Sequence, residues 1–157
     1  MTDTAIDLAS DSDREWSAKL MASSEPWLTL GRDFTACLDR CRGPEFVMLM
    51  ARRAGARCGF LLLHPTGVVG SPYIASIATS AAVRGQGVGS ALLDAAERWL
   101  PEARHMFLCV SSFNTRARQL YERRGYTKVG EFPDYAIAGA SEILMHKCLV
   151  HKCLVRP

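Results

Sequence analysis

The sequence predicts one mixed domain of the α/β (α+β) class, and three observations carry that expectation. Two N-terminal segments repeat apolar residues at helical spacing, Trp16, Leu20 and Met21 and then Phe34, Cys37, Leu38 and Cys41. The period then shortens, and residues 46–51, 58–63 and 73–79 read as apolar runs of strand length. From there strands and helices alternate up to a closing strand pair.

The elements follow in order. Residues 4–9 form a short first strand. Asp13 is expected to cap the first helix, because its carboxylate can accept from a first-turn amide. Pro26 breaks that helix by removing a donor and restricting Glu25. A second helix spans residues 31–41 and stops at Gly43-Pro44. The turn at residues 53–56 joins the first two apolar strands, and a Gly/Pro-rich connection leads to the third. A helix over residues 87–100 buries Val88, Leu92, Ala96 and Trp99 as one stripe and ends at Pro101. Residues 105–110 are a strand and 114–124 a helix closed by Gly125. Residues 126–129 and 142–149 are the last two strands.

A chain of 157 residues suits one core, so residues 1–157 read as one domain with 1–14 and 150–157 as peripheral tails. Charged residues make up 22% and the net charge is +3, with no long basic block, which argues against a nucleic-acid surface. The polar, acidic start predicts no leader peptide, and the longest apolar run, 58–63, is too short for a bilayer, so no membrane partner is expected. Six cysteines (37, 41, 58, 109, 148 and 153) lie in apolar or helical patterns, as reduced thiols of a cytoplasmic protein would. The tail repeats His-Lys-Cys-Leu-Val at 146–150 and 151–155. One copy completes the last strand. Metal binding by His146, Cys148, His151 and Cys153 is disfavoured because a strand does not bring such pairs together, and no metal is expected.

The chemistry concentrates in Arg84-Gly85-Gln86-Gly87-Val88-Gly89-Ser90, between a strand and a helix. Glycines admit a close ligand, and the unpaired first-turn amides with the helix dipole attract phosphate oxygens. A P-loop would need Gly-Lys-Ser/Thr, which is absent, and a dinucleotide loop starting at Gly85 would need glycine where Ser90 stands. These residues resemble the [Q/R]-x-x-G-x-[G/A] signature of the GNAT superfamily of acyl-CoA-dependent N-acyltransferases. Asn114, Ala117, Tyr121, Gly125 and Tyr126 match its second signature, N-x-x-A-x-x-x-Y-x-x-x-G-[F/Y]. The strand–helix order fits the superfamily from residue 46 to about residue 147.

The resemblance implies a mixed central sheet splayed at the acyl-CoA site. It implies acetyl-CoA as co-substrate, its pantetheine arm along the backbone of Ile77, Ala78 and Thr79, and its pyrophosphate on Arg84, Gly85, Gln86, Gly87, Val88, Gly89 and Ser90. Asn114 and Ala117 support the arm, and Tyr121 takes the general-acid position; the alternative for Tyr121 is a core tyrosine beside Ala117 and Leu120. Arg116 and Arg118 either reach the cofactor's 3′-phosphate or are simply solvated. Residues 25–27, 67–73 and 132–141 border the acceptor, with Trp27, Tyr73 and Tyr135 as candidate substrate contacts. The general base is unassigned, since residues 73–79 lack a carboxylate and Cys109 stands where some relatives place Glu; Glu142, Asp134, Tyr135, Glu25 or a water relay remain open.

The acceptor is expected to be an amine, leaning to a peptide or protein N-terminus, with small amines close behind. Keeping a lysine-type amine neutral at pH 7 costs about 4–5 kcal/mol against about 1 kcal/mol for an α-amine. Competing readings are a Cys109 nucleophile, which nothing local activates, and a non-catalytic acyl-CoA sensor. A serine hydrolase is disfavoured further, because Ser111-Ser112 lacks the G-x-S-x-G elbow. The C-terminal strands leave a monomer or a homodimer open.

Overall fold

A computed structural model of the protein describes residues 3–149. The chain runs β1 (Thr4–Leu8), α1 (Asp11–Ala22), α2 (Phe34–Cys41), β2 (Val47–Arg53), β3 (Ala56–Val68), β4 (Ser71–Thr79), a 3-10 turn (Ala81–Val83), α3 (Val88–Trp99), β5 (His105–Ser111), α4 (Thr115–Arg123), β6 (Thr127–Pro133) and β7 (Ser141–Cys148). The seven strands form one sheet in the order β1-β2-β3-β4-β5-β7-β6. Every neighbouring pair is antiparallel except β4 and β5.

Strand alternation builds two cores, one on each face. Leu49, Leu61, Leu63, Leu108, Val110 and Met145 join the face covered by α3 and α4 through Leu92, Ala96 and Tyr121. Met48, Met50, Phe60 and Leu62 face α1 and α2 through Ala18, Met21, Cys37 and Cys41.

Several boundaries differ from expectation for identifiable reasons. Ser10, not Asp13, caps α1; Asp13 is its third residue and returns a bond to the Ser10 N–H, closing a capping box. The second helix begins at Phe34 rather than residue 31, because Gly31 has φ +66° and Asp33 caps the helix by accepting from the Ala36 N–H. The buried stripe of α3 is Val88, Leu92, Leu93 and Ala96, and Trp99 is largely exposed. Residues 67–73, expected as a loop beside the acceptor, instead end β3, turn at Val69-Gly70 and begin β4. Pro65 sits inside β3 without loss because β2 pairs no further than Leu63 there.

Within residues 1–14, expected as a peripheral tail, the described segment from Thr4 on is anchored. β1 pairs with β2 from Thr4↔Arg53 to Leu8↔Leu49, and Asp13 is buried. Cys37, Cys41, Cys58 and Cys109 are free thiols. His146, Lys147 and Cys148 end β7, so the first three residues of the first copy lie in the last strand; Val150, His151 and Cys153 fall outside the described residues. Among the described residues no three His, Cys, Asp or Glu side chains cluster as metal ligands, and no helix is long and apolar enough to cross a membrane.

Asp13 ties α1 to the sheet. Its carboxylate accepts from Arg57 Nε at 2.6 Å, Arg52 Nη2 at 2.7 Å and the Ser10 N–H at 2.8 Å. Burial alone would raise its pKa, but those bonds outweigh it and bring it from 3.8 to about 2. A carboxylate depressed in the folded state adds stability above its unfolded pKa and loses it as pH falls through the folded value. Asp13→Asn should therefore cost about 1–3 kcal/mol near neutral pH. In denaturant titrations that difference should close as the pH falls from about 4 to about 2; a gap that stayed constant with pH would refute the linkage.

Candidate active site

β4 and β5 run parallel but pair at only two positions, Tyr73↔Phe107 and Ile74↔Leu108. Beyond Ile74, β4 keeps β3 on one side, with Ser76↔Leu62 through Thr79↔Gly59, and has no strand on the other. The sheet is open at its centre.

A bulge sits at the parting. Leu63 faces Ile74 while Leu62 faces Ser76, so Ala75 is the extra residue. It brings Ile74 and Ile77 onto the α3/α4 core and Ala75 and Ala78 onto the α1/α2 core. Arg40 of α2 clasps it, donating from Nη2 to the Ala75 carbonyl at 2.9 Å and from Nε to Ser76 Oγ at 3.0 Å.

Two cavities meet at this opening. The larger, about 800 Å³, runs along Ile77, Ala78 and Thr79, past Arg84, Gly85, Gly87, Val88, Gly89 and Ser90, and onto α4. The smaller, about 590 Å³, lies toward α1, α2 and β7 and is walled by Trp27, Tyr73, Cys109, Phe132, Tyr135 and Glu142. Ile77, Asn114, Ala117 and Tyr121 line both.

The larger cavity is made for an anion. Gly87 caps α3 in the left-handed conformation (φ +84°) with no side-chain cap, so the first-turn amides of Val88, Gly89 and Ser90 are left without intrahelical partners. A Cβ on Gly89 would lie 3.1 Å from Leu120 Cδ2, so glycine there lets α3 approach α4. Arg84, Arg116 and Arg123 reach the same cavity, and none has an ion pair among the described residues. Unpaired amides and three free guanidinium groups fit a polyphosphate. Arg118 lines neither cavity; it pairs with Glu122 at 3.0 Å. Gln86 also lies off both walls: its N–H donates to the Val83 carbonyl, and its side chain and carbonyl accept from Arg53. Arg123 was not singled out from the sequence, although it follows Arg116 by seven residues on the same helix face.

Asn114 caps α4, its side chain accepting from the Ala117 N–H, and so fixes the helix that carries Tyr121. Tyr121 is buried against Tyr126, and burial raises its pKa, which keeps the phenol protonated. Burial raises the pKa of the Cys109 thiol and outweighs the lowering influence of the neighbouring Tyr73 hydroxyl. That is the wrong direction for a nucleophilic thiolate.

The four candidate bases separate. Glu142 and Tyr135 line the smaller cavity. Glu25 lies on the larger one and accepts from the Thr29 N–H. Asp134 lines neither; it accepts from the Gly139 N–H at 2.7 Å and closes its own loop.

Comparison with known proteins follows the same outline. The Acetyltransferase (GNAT) family matches residues 6–126. No curated protein matched the sequence. Among solved structures, a GNAT-family acetyltransferase from Desulfovibrio desulfuricans superposes with a TM-score of 0.78 at 17% identity, covering 93% of this chain and 99% of its own. An aminoglycoside 6'-N-acetyltransferase complexed with coenzyme A gives 0.76 at 15% identity, covering 98% and 99%. The ribosomal-protein-S18-alanine N-acetyltransferase from Escherichia coli gives 0.73 at 19% identity, covering 94% of each chain. With its parted parallel strands, uncapped glycine turn and family match over residues 6–126, this chain belongs to the GNAT family of acetyltransferases.

Proposed function

We propose that the protein is an N-acetyltransferase that moves the acetyl group of acetyl-CoA directly to an amine, with peptide or protein N-terminal α-amines as the favoured acceptors. The observation that carries this reading is the meeting of a cavity lined by free amides and guanidinium groups with an aromatic-walled cavity at Ile77, Asn114, Ala117 and Tyr121. One side suits the cofactor and the other the acceptor, so transfer needs no covalent enzyme intermediate.

Acetyl-CoA supplies an activated thioester when bound. The open edge of β4 at Ile77, Ala78 and Thr79 offers backbone groups to an extended amide-bearing arm. The amides of Val88, Gly89 and Ser90, with Arg84, hold the pyrophosphate, and Arg116 and Arg123 take the remaining phosphate charge. Tyr121, kept protonated by burial, gives its proton to the departing sulfur.

The preference for α-amines rests on proton cost, since neutralising an α-amine takes about 1 kcal/mol at pH 7 and a lysine about 4–5 kcal/mol. Phe132 and Tyr135 pack at 5.6 Å on the exposed rim of the acceptor cavity, which suits a chain lying across its mouth.

Thiol release from acetyl-CoA tests the reading, using peptides with free N-termini, N-terminally blocked lysine peptides and small amines. Turnover should be fastest with free N-termini, and Tyr121→Phe should lower it about 10²–10⁴-fold. Tight CoA binding with no turnover on any amine would instead indicate an acyl-CoA sensor. Arg116→Ala should weaken CoA binding about tenfold while Arg118→Ala leaves it unchanged in calorimetric titrations. Equal effects would mean that α4 contributes only diffuse charge.

A further inference from the structure

We infer that Glu142, hydrogen-bonded to Ser111, is the group that takes the proton from the acceptor amine; this rests on the acyltransfer reading above. No residue of β4 offers a carboxylate, and Cys109 occupies the facing position on β5. The proton acceptor must come from another wall.

Among the described residues Glu142 is the only carboxylate lining the acceptor cavity, and no histidine lines it. Glu142 and Ser111 are cross-strand partners of β7 and β5, and Ser111 Oγ donates to Glu142 Oε1 at 2.5 Å. Ser111 is itself buried, and its carbonyl accepts from the N–H of Asn114 at 2.9 Å. Asn114 lines both cavities, so the Ser111–Glu142 pair stands one hydrogen bond from their junction. The hydroxyl fixes one carboxylate oxygen and leaves the other to the amine.

The proton balance is as follows. The acceptor ammonium passes one proton to the Glu142 carboxylate, directly or through one water. The freed nitrogen bonds to the acetyl carbon, the carbon–sulfur bond breaks, and the Tyr121 proton goes to the leaving sulfur. The remaining excess proton on nitrogen returns to the Tyr121 oxygen, and Glu142 releases its proton to water. Ammonium and thioester become amide, thiol and one proton, with no oxidant or metal.

The titratable and charged groups that line the cavity with Glu142 are Tyr73 on β4, Cys109 on β5, Arg32 before α2, Cys37 and Arg40 on α2, Tyr121 on α4 and Tyr135 between β6 and β7. Burial raises the pKa of Tyr73, then of Cys109 and Tyr121, so none of the three is a base near neutral pH.

The experiment compares wild type, Glu142→Gln, Glu142→Asp and Ser111→Ala in acetyl-CoA thiol release with the best acceptor of the peptide panel, over a pH series. CoA affinity by calorimetry and the melting temperature are measured in parallel. Glu142→Gln should lose about 10²–10⁴-fold in kcat/KM at pH 7. Its rate should then rise about tenfold per pH unit up to the amine's own pKa, because only the free amine reacts. CoA affinity and melting temperature should stay at wild-type values, with Glu142→Asp partly active and Ser111→Ala reduced less than Glu142→Gln. A Glu142→Gln enzyme with the wild-type pH profile, or one whose rate falls only with its CoA affinity, overturns the assignment. A wild type that transfers acetyl to no amine overturns the function itself, and this inference with it.

Discussion

The constraint on which the structure turns is the parting of β4 from β5 after Ile74 and Leu108. A parallel pair that continued would have spent the backbone groups of residues 75–79 on a neighbour and closed the sheet. Two features hold the strands apart. The Ala75 bulge bends β4 away, and Arg40, reaching across from α2, satisfies the bulged carbonyl and Ser76 Oγ. The same guanidinium lies 5.6 Å over the Phe46 ring, so a side chain on α2 fixes the backbone geometry of the central opening.

Each surrounding element serves that opening. α3 presents an uncapped N-terminus to it, because Gly87 starts the helix without a side-chain cap. α4 and its cap bring Asn114, Ala117 and Tyr121 to the junction, and the helix carries Arg116 and Arg123 to the basic side. β7, antiparallel to β5, adds Glu142 beside Ser111. The β1–β2 edge and the first turn of α1, joined through Asp13 to Arg52 and Arg57, brace the opposite end of the sheet and line neither cavity.

Much of this was legible in the sequence, and the exceptions have physical reasons. Apolar periodicity located the helices and the central strands, which bury a face of their own; the edge strands β1 and β6 bury no residue, and β6 runs on to Pro133, past its expected end at residue 129. The glycine loop and the Asn114–Tyr126 signature pointed to residues that line the two cavities, because backbone geometry and helix capping are written in particular residue types. Long-range pairing was less visible. The capping box put Ser10 ahead of Asp13, and the tight turn at Val69-Gly70 was hidden by a Pro/Gly-rich composition that reads as a loop. Gln86 sits within the signature, but its side chain is drawn off by Arg53, a residue 33 positions away in the chain. Nothing local to either residue announces that bond. The sequence left Glu142, Asp134, Tyr135, Glu25 and a water relay open as bases, because only the strand register shows that Glu142 lies beside Ser111 and only the loop geometry shows that Asp134 accepts from the Gly139 N–H.

The central claim is that the opening between β4 and β5 holds the acyl donor, and amide hydrogen exchange with and without coenzyme A tests it most directly. The account predicts slower exchange at two separated places, the open edge of β4 at residues 77–79 and the first turn of α3 at residues 88–90, with β1 and β2 unchanged. Protection confined to other segments, or none at saturating coenzyme A, would contradict it.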